Sequence, residues 1–133
     1  DKEMGMTQAS AQDGADAVQS REWDKQSIFL RLQEGIPTAF WVWGDQISPL
    51  EPDEGSTYRG HFGWGRADEA TMALAQAIVT RLVAVGLVPP ELALSRAGYL
   101  HDEVLVKLPA GEHYDLHLSY LRLLLGEGAV PRP

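Results

Sequence analysis

Between Asp68 and Val85 apolar residues recur on two faces of one predicted helix: Met72, Ala75, Val79, Leu82, Val83 and Gly86 on the first, Leu74, Ile78 and Val85 on the second. A helix with a single apolar stripe can lie on a core, whereas one that is apolar on two faces has to be covered on both. This segment is therefore expected to run between layers at the centre of the fold. Asp68 is placed to cap its N-terminus, and Glu69 complements the positive end of its dipole.

A covering layer has to come from elsewhere in the chain. In Ser27-Ile28-Phe29-Leu30-Arg31-Leu32 the residues Ile28, Leu30 and Leu32 alternate with Phe29 and Arg31, the pattern of a half-buried strand. Gln33-Glu34-Gly35 reads as a turn, and the aromatic, β-branched run Thr38 to Trp43 as a second strand paired with the first. Asp45 to Thr57 contains two prolines and four acids without a base and is expected to be an exposed loop; Tyr58 to Phe62 is expected to add a short third strand. Downstream, Pro89-Pro90-Glu91 starts a second helix that should extend to Lys107, with Ala93, Ala97, Leu100, Val104 and Leu108 on its core face. Gly98 inside it predicts a close approach of another backbone. A third helix is expected from roughly Leu116 to Leu125, with Asp115 as its cap and Gly126 as its stop.

The expected fold class is α+β: a small antiparallel sheet of two or three strands from the N-terminal half, packed against three C-terminal helices. Residues 1–19 are polar and aperiodic and read as a disordered tail, 20–126 as one domain and 127–133 as a short C-terminal tail. The residues ahead of Met4 and Met6 are expected to lie outside the natural start.

Composition narrows the function classes. The chain has no cysteine, which removes thiolate metal sites, disulfides and a cysteine nucleophile. It has no run of about 18 apolar residues and no basic-then-apolar leader, so a cytoplasmic protein with no membrane partner is expected. Asparagine is absent and arginine outnumbers lysine eight to three, a bias that GC-rich coding produces. The net charge of −8 is concentrated up to Tyr58, where eleven acids face four bases. Such a field repels nucleic acid and suits a basic protein partner.

Phe62-Gly63-Trp64-Gly65, followed by Met72-Ala73-Leu74-Ala75-Gln76-Ala77-Ile78, resembles an uncharacterised family of small bacterial and phage proteins, a domain of unknown function in which a Phe-x-Trp-Gly motif leads into a Leu-Ala-rich helix. The resemblance continues through Leu100 to Pro109 and covers residues 58–125. It implies the fold and carries no activity. Where that family has a glycine-rich turn and a proline after Trp-Gly, this chain has Arg66-Ala67-Asp68-Glu69-Ala70-Thr71, whose carboxylates would oppose an anion at the helix start.

Four groups of residues have the composition of a chemical or binding site. Trp41, Trp43, Tyr58, Phe62 and Trp64 with Arg59 and Arg66 have that of a stacking platform for single-stranded nucleic acid, and equally that of a core. His113-x-Asp115-x-His117 has that of a metal site but lacks a third ligand nearby, so no metal or other cofactor is expected. His101, His113 or His117 with a neighbouring carboxylate would serve a small hydrolase or transferase. No Walker sequence, dinucleotide fingerprint or Gly-x-Ser-x-Gly turn is present, and no catalytic residue is assigned. The fourth group, Asp45, Glu51, Asp53 and Glu54, lies in one proline-containing loop beside the aromatic strand.

Taken together, these features point to a non-enzymatic acidic interaction protein of a bacterium or mobile element. It would dock on a basic protein surface through Asp45, Glu51, Asp53 and Glu54 with Trp41 and Trp43, modulating a host nucleic-acid-handling or defence complex. The leucines at 121, 123, 124 and 125 exceed what short helices need, and a homodimer would cover them.

Overall fold

The computed structural model describes residues 25–53 and 55–125. The expected tails 1–19 and 127–133, Gly126 as a helix stop, and Glu54 lie outside these described residues.

Strand β1 (Gln26–Gln33) turns at Glu34-Gly35, both with positive φ, into strand β2 (Ile36–Trp43). Two left-handed residues give the turn a twist that matches the flanking strands, so the hairpin closes at Gln33↔Ile36 without splaying. Ile28 and Leu30 are fully buried on one face, and Ala39 and Trp41 join them from β2. The alternation in the sequence thus sets the face and the register of this pair.

Two further strands complete the sheet. Gly44-Asp45 makes a second two-residue turn, and β3 (Gln46–Pro49) folds back on β2 with Trp41 opposite Ser48. β4 (Tyr114–His117) pairs with the other edge of β1, so the antiparallel order is β3-β2-β1-β4. The sheet therefore has four strands instead of two or three, and the segment from Asp45 is an edge strand before it becomes a loop. Tyr58 to Phe62 forms no strand: the Tyr58 hydroxyl donates to the His61 carbonyl, and Arg59 holds the Ser56 and Tyr58 carbonyls, which coils the segment. The expected order of sheet first, helices second is also corrected, because β4 comes from the C-terminal half. Four residues are too few for periodicity to separate a strand from the first turn of a helix.

Helix α1 (Glu69–Ala84) is the central helix, with Thr71, Leu74, Ala75, Ile78 and Leu82 fully buried and Ala73, Ala77 and Val79 nearly so. Asp68 caps it, its Oδ1 accepting from the Thr71 backbone N–H at 3.0 Å and the Thr71 hydroxyl at 2.9 Å. It ends in a Schellman arrangement, in which Leu87 N–H donates to Leu82 O at 2.9 Å and Gly86 N–H to Val83 O at 3.0 Å.

The second helix is not continuous to Lys107. A 3₁₀ turn (Pro90–Leu92) leads into α2 (Ala93–Leu100), which widens into a π turn over His101–Leu105 with Val106 N–H donating to His101 O at 3.0 Å. Its core residues Ala97, Leu100 and Val104 are buried as expected, and α2 packs on α1. The space a Cβ would occupy at Gly98 is open, so no backbone approaches there. The close approach is made by Gly65, whose N–H donates to Leu105 O at 2.8 Å; a Cβ on Gly65 would meet Leu108 O and Ala110 Cβ, each at 2.9 Å.

Helix α3 (Leu118–Leu125) starts two residues later than expected, because Leu116 belongs to β4. Leu118, Leu121 and Leu125 are buried, Leu124 is half-buried and Leu123 is exposed. Arg96 ties α2 to α3 by donating from Nε to Leu125 O at 2.8 Å. One core joins sheet and helices: Ile28, Leu30, Trp41 and Leu116 share it with Phe62, Trp64, Leu74, Ile78, Leu100 and Leu121.

Candidate functional site

The tight turn at Gly44 carries Trp43 and Asp45 to one tip of the sheet and sends β3 back along the edge. Every residue of β3 is exposed, and Ile47 and Trp43 stand out as large apolar side chains at 63% and 45% exposure. The edge itself is blunted. Leu50 N–H donates to Ala39 O at 2.9 Å, so the inward-facing residues are Leu50, Ser48 and Gln46, and the outward ones are Pro49 and Ile47. Proline has no N–H to offer, which leaves Ile47 as the one outward N–H donor of the strand. The side chains rather than the backbone are thus what this edge presents.

The acidic residues do not form one cluster. Asp45 occupies the hairpin tip and Glu51 lies past the other end of β3, both exposed; six extended residues separate them by up to about 20 Å. Asp53 leaves the strand altogether, its Oδ2 accepting from the Thr80 hydroxyl of α1 at 2.9 Å, and its carbonyl accepting from Ser56 N–H at 3.0 Å. The result is a strip of carboxylates along β3 and the following turn. No Lys or Arg occurs between Arg31 and Arg59, and the register brings one cation, the exposed Lys25 next to Gln26, beside the tip that carries Asp45.

The two tryptophans of β2 part company. Trp41 is buried, donates from Nε1 to Gln26 Oε1 at 2.9 Å and carries the Arg81 guanidinium 4.8 Å above its ring. It anchors β2 to α1 and presents no face to a partner. Trp43, two residues on, has the same parity but lies beyond the cover of the helix, which is why its ring is half exposed. Strand alternation alone could not separate them; distance from the end of the strand could.

The aromatic set does not build a stacking platform, since Trp41, Phe62 and Trp64 are all buried. Arg66 is engaged with Asp68 at 2.7 Å. In His113-x-Asp115-x-His117 the strand places Asp115 and His117 on the outer face: Asp115 accepts from Arg31 at 2.7 Å, and His117 Nδ1 stands 2.7 Å from Ser27 Oγ. Asp115 is a strand residue and not a helix cap. Arg31, stacked 4.2 Å over Phe29 and donating to Tyr114 O at 3.0 Å, uses this motif to fasten β4 to β1. His101 is buried beside Asp102, with Nδ1 2.7 Å from Oδ1. Among the described residues no three His, Cys, Asp or Glu side chains are gathered as metal ligands.

Among the described residues one carboxyl and one phenol are shifted. Burial pushes the Asp68 carboxyl up, but the Thr71 N–H and hydroxyl and the Arg66 guanidinium together outweigh it and hold the pKa below its ordinary value. Desolvation, followed by the nearby Glu112 charge, raises Tyr114 above its ordinary value. Neither lies on the acidic strip.

Sequence reasoning missed β3 as the element that spreads the acids and Ile47 as its apolar centre. The signal was present in Trp43-Gly44-Asp45-Gln46, a two-residue hairpin connection followed by Ile47, but the prolines and acids after it read as loop. No helix of the described residues is long and apolar enough to cross a membrane. No protein-family model matches the sequence, and no curated protein and no solved structure matches it.

Proposed function

We propose that the chain is a non-enzymatic interaction protein that docks on a basic protein surface through the β2–β3 hairpin. The observation that carries this reading is Ile47, exposed between the carboxylates Asp45 and Glu51 along one edge, with the half-exposed Trp43 at the hairpin tip on the opposite face of the sheet. Interfaces gain their affinity from a few large apolar anchors in a desolvated centre, and charges at the rim steer the encounter and set its register. An apolar anchor between two exposed carboxylates suits a partner with a basic rim around an apolar hollow.

In its concrete form the partner belongs to a nucleic-acid-handling complex of a bacterial host, such as a defence nuclease, in keeping with the resemblance to small bacterial and phage proteins. Carboxylates spread over up to about 20 Å match the axial rise of roughly six nucleotides, so the strip could occupy a phosphate-binding groove.

The test uses the chain as bait in nuclease-treated host lysate, followed by affinity measurements on the purified complex over a range of salt. Asp45→Asn with Glu51→Gln should weaken binding and flatten its salt dependence, and Ile47→Ser should weaken it without changing the salt slope. Unchanged affinity in all three substitutions would sink the proposal.

A further inference from the structure

Past β3 the chain crosses to α1, and between this crossing, α1 and the start of α2 lies a cleft of about 680 Å³, within the range of roughly 300 to 1,000 Å³ that ligand pockets occupy. Its charge is one-sided. Asp53 lines it from the crossing and Glu91 from the turn before α2, with no Lys or Arg among the described lining residues. Thr80 and Gln76 contribute neutral polar groups, and Ala93 and Leu94 contribute accessible apolar surface above the buried Val79 and Ala97.

Two features fix the Asp53 side. Its Oδ2 accepts from the Thr80 hydroxyl at 2.9 Å, and its carbonyl accepts from Ser56 N–H at 3.0 Å, so carboxylate and turn are held against α1. The other carboxylate oxygen takes no hydrogen bond among the described residues. An anion would be repelled by both carboxylates, and a neutral polar ligand would gain little from them. A positive charge on an aliphatic stem uses both halves of the lining, its methylenes on Ala93 and Leu94 and its head between the acids.

The cleft also starts near the docking strip, because Asp53 follows Glu51 by two residues, a Cα separation of at most about 7 Å. A basic segment laid along β3 would meet the cleft next. We infer that the cleft is a side-chain pocket for one arginine or lysine of an extended segment of the partner. This deepens the docking reading and rests on it for the source of the side chain, but the pocket is tested without the partner.

The probe is n-butylguanidinium, the arginine side chain together with its Cα, titrated into the ¹⁵N-labelled full chain by NMR, with n-butanol as the uncharged control. Saturable shifts at the Ser56, Thr57, Gln76 and Thr80 amides are expected, weakened by salt and absent with n-butanol. Asp53→Asn with Glu91→Gln should weaken the apparent affinity about tenfold, the loss of a charge-assisted contact. Ala93→Phe keeps both charges but fills the cleft, and should abolish saturation.

Shifts that never saturate, an equal response to n-butanol, or wild-type affinity in the Asp53/Glu91 variant would overturn the inference. The two readings fail separately. If butylguanidinium saturates the cleft while Asp45, Glu51 and Ile47 prove irrelevant to the partner, the hairpin reading falls and the pocket stands; the opposite result removes the pocket alone.

Discussion

Trp43-Gly44-Asp45 and Trp64-Gly65-Arg66 are similar tripeptides, each a tryptophan, a glycine of positive φ and a charge, yet one makes surface and the other makes core. Trp43 is 45% exposed and a Cβ on Gly44 would meet nothing within 4 Å. Trp64 is 4% exposed, and Gly65 is pressed against Leu108 and Ala110 while its N–H bonds to Leu105 O. The path of the chain beyond each glycine makes the difference. After Gly44 the chain returns along the same sheet; after Gly65 it enters the central helix, and the end of the π turn closes over it. Local sequence sets the turn, and tertiary cover decides whether the tryptophan beside it stabilises the fold or remains available to a partner.

Truncating each tryptophan gives the largest test of that contrast. Trp64→Ala should cost about 3 to 5 kcal/mol, the usual range for a buried aromatic. Trp43→Ala should cost about 2 kcal/mol, since its half-exposed ring leaves less apolar area to lose. Urea denaturation of both variants measures the pair. Equal losses would mean that Trp43 is part of the core and unavailable for docking.

The glycines sharpen the same point with less side chain involved. Both have positive φ, which costs a non-glycine residue about 1 to 2 kcal/mol. Gly44→Ala should lose about that much. Gly65→Ala adds a Cβ 2.9 Å from a backbone carbonyl that cannot swing away, so overpacking of about 1 to 3 kcal/mol comes on top. A larger loss at Gly44 than at Gly65 would break the assignment of surface and core.

These two turns also mark how far the sequence could be read. The β1–β2 hairpin, the face carrying Ile28 and Leu30, and the central helix from its Asp68 cap were legible, because each rests on periodicity or cap chemistry within a few residues. β3 and β4 were not. Four residues each is too short for a periodic signal, and their pairing to β2 and β1 is a long-range event in the case of β4. The acids of the candidate site were legible as residues, but their distribution depends on β3 and on the Thr80 hydroxyl, neither of which composition reveals. The close approach assigned to Gly98 inside α2 belongs to Gly65 ahead of α1 for the same reason: only the packing shows which glycine has a close neighbour.

A smaller effect should come from the cap that starts α1 after the Trp64 turn. Asp68→Ala removes the acceptor of both Thr71 bonds and should cost about 1 kcal/mol at neutral pH. The folded-state pKa of Asp68 is lowered, so its ionised form contributes stability above the unfolded-state pKa, and that contribution is lost as pH falls through the folded value. The gap between wild type and Asp68→Ala should therefore narrow from pH 7 to about pH 2.5, well below ordinary carboxylate values. A gap independent of pH would assign the effect to the hydrogen bonds alone and remove the ionised carboxylate from the account.

Gly98 completes the contrast from the opposite side. It sits inside α2 with no positive φ among the described backbone exceptions, and open space stands where a Cβ would go. Nothing in its surroundings requires glycine, while its extra freedom in the unfolded chain disfavours the helix. Gly98→Ala should stabilise the protein by about 0.5 to 1 kcal/mol, read as a rise in the urea midpoint at unchanged m-value. A stabilised Gly98→Ala beside a destabilised Gly65→Ala would separate a glycine that the helix merely tolerates from one that the packing demands. Destabilisation at both would instead place a close neighbour over Gly98, and the π turn at His101–Leu105 would then have to be packed more tightly than the structure has it.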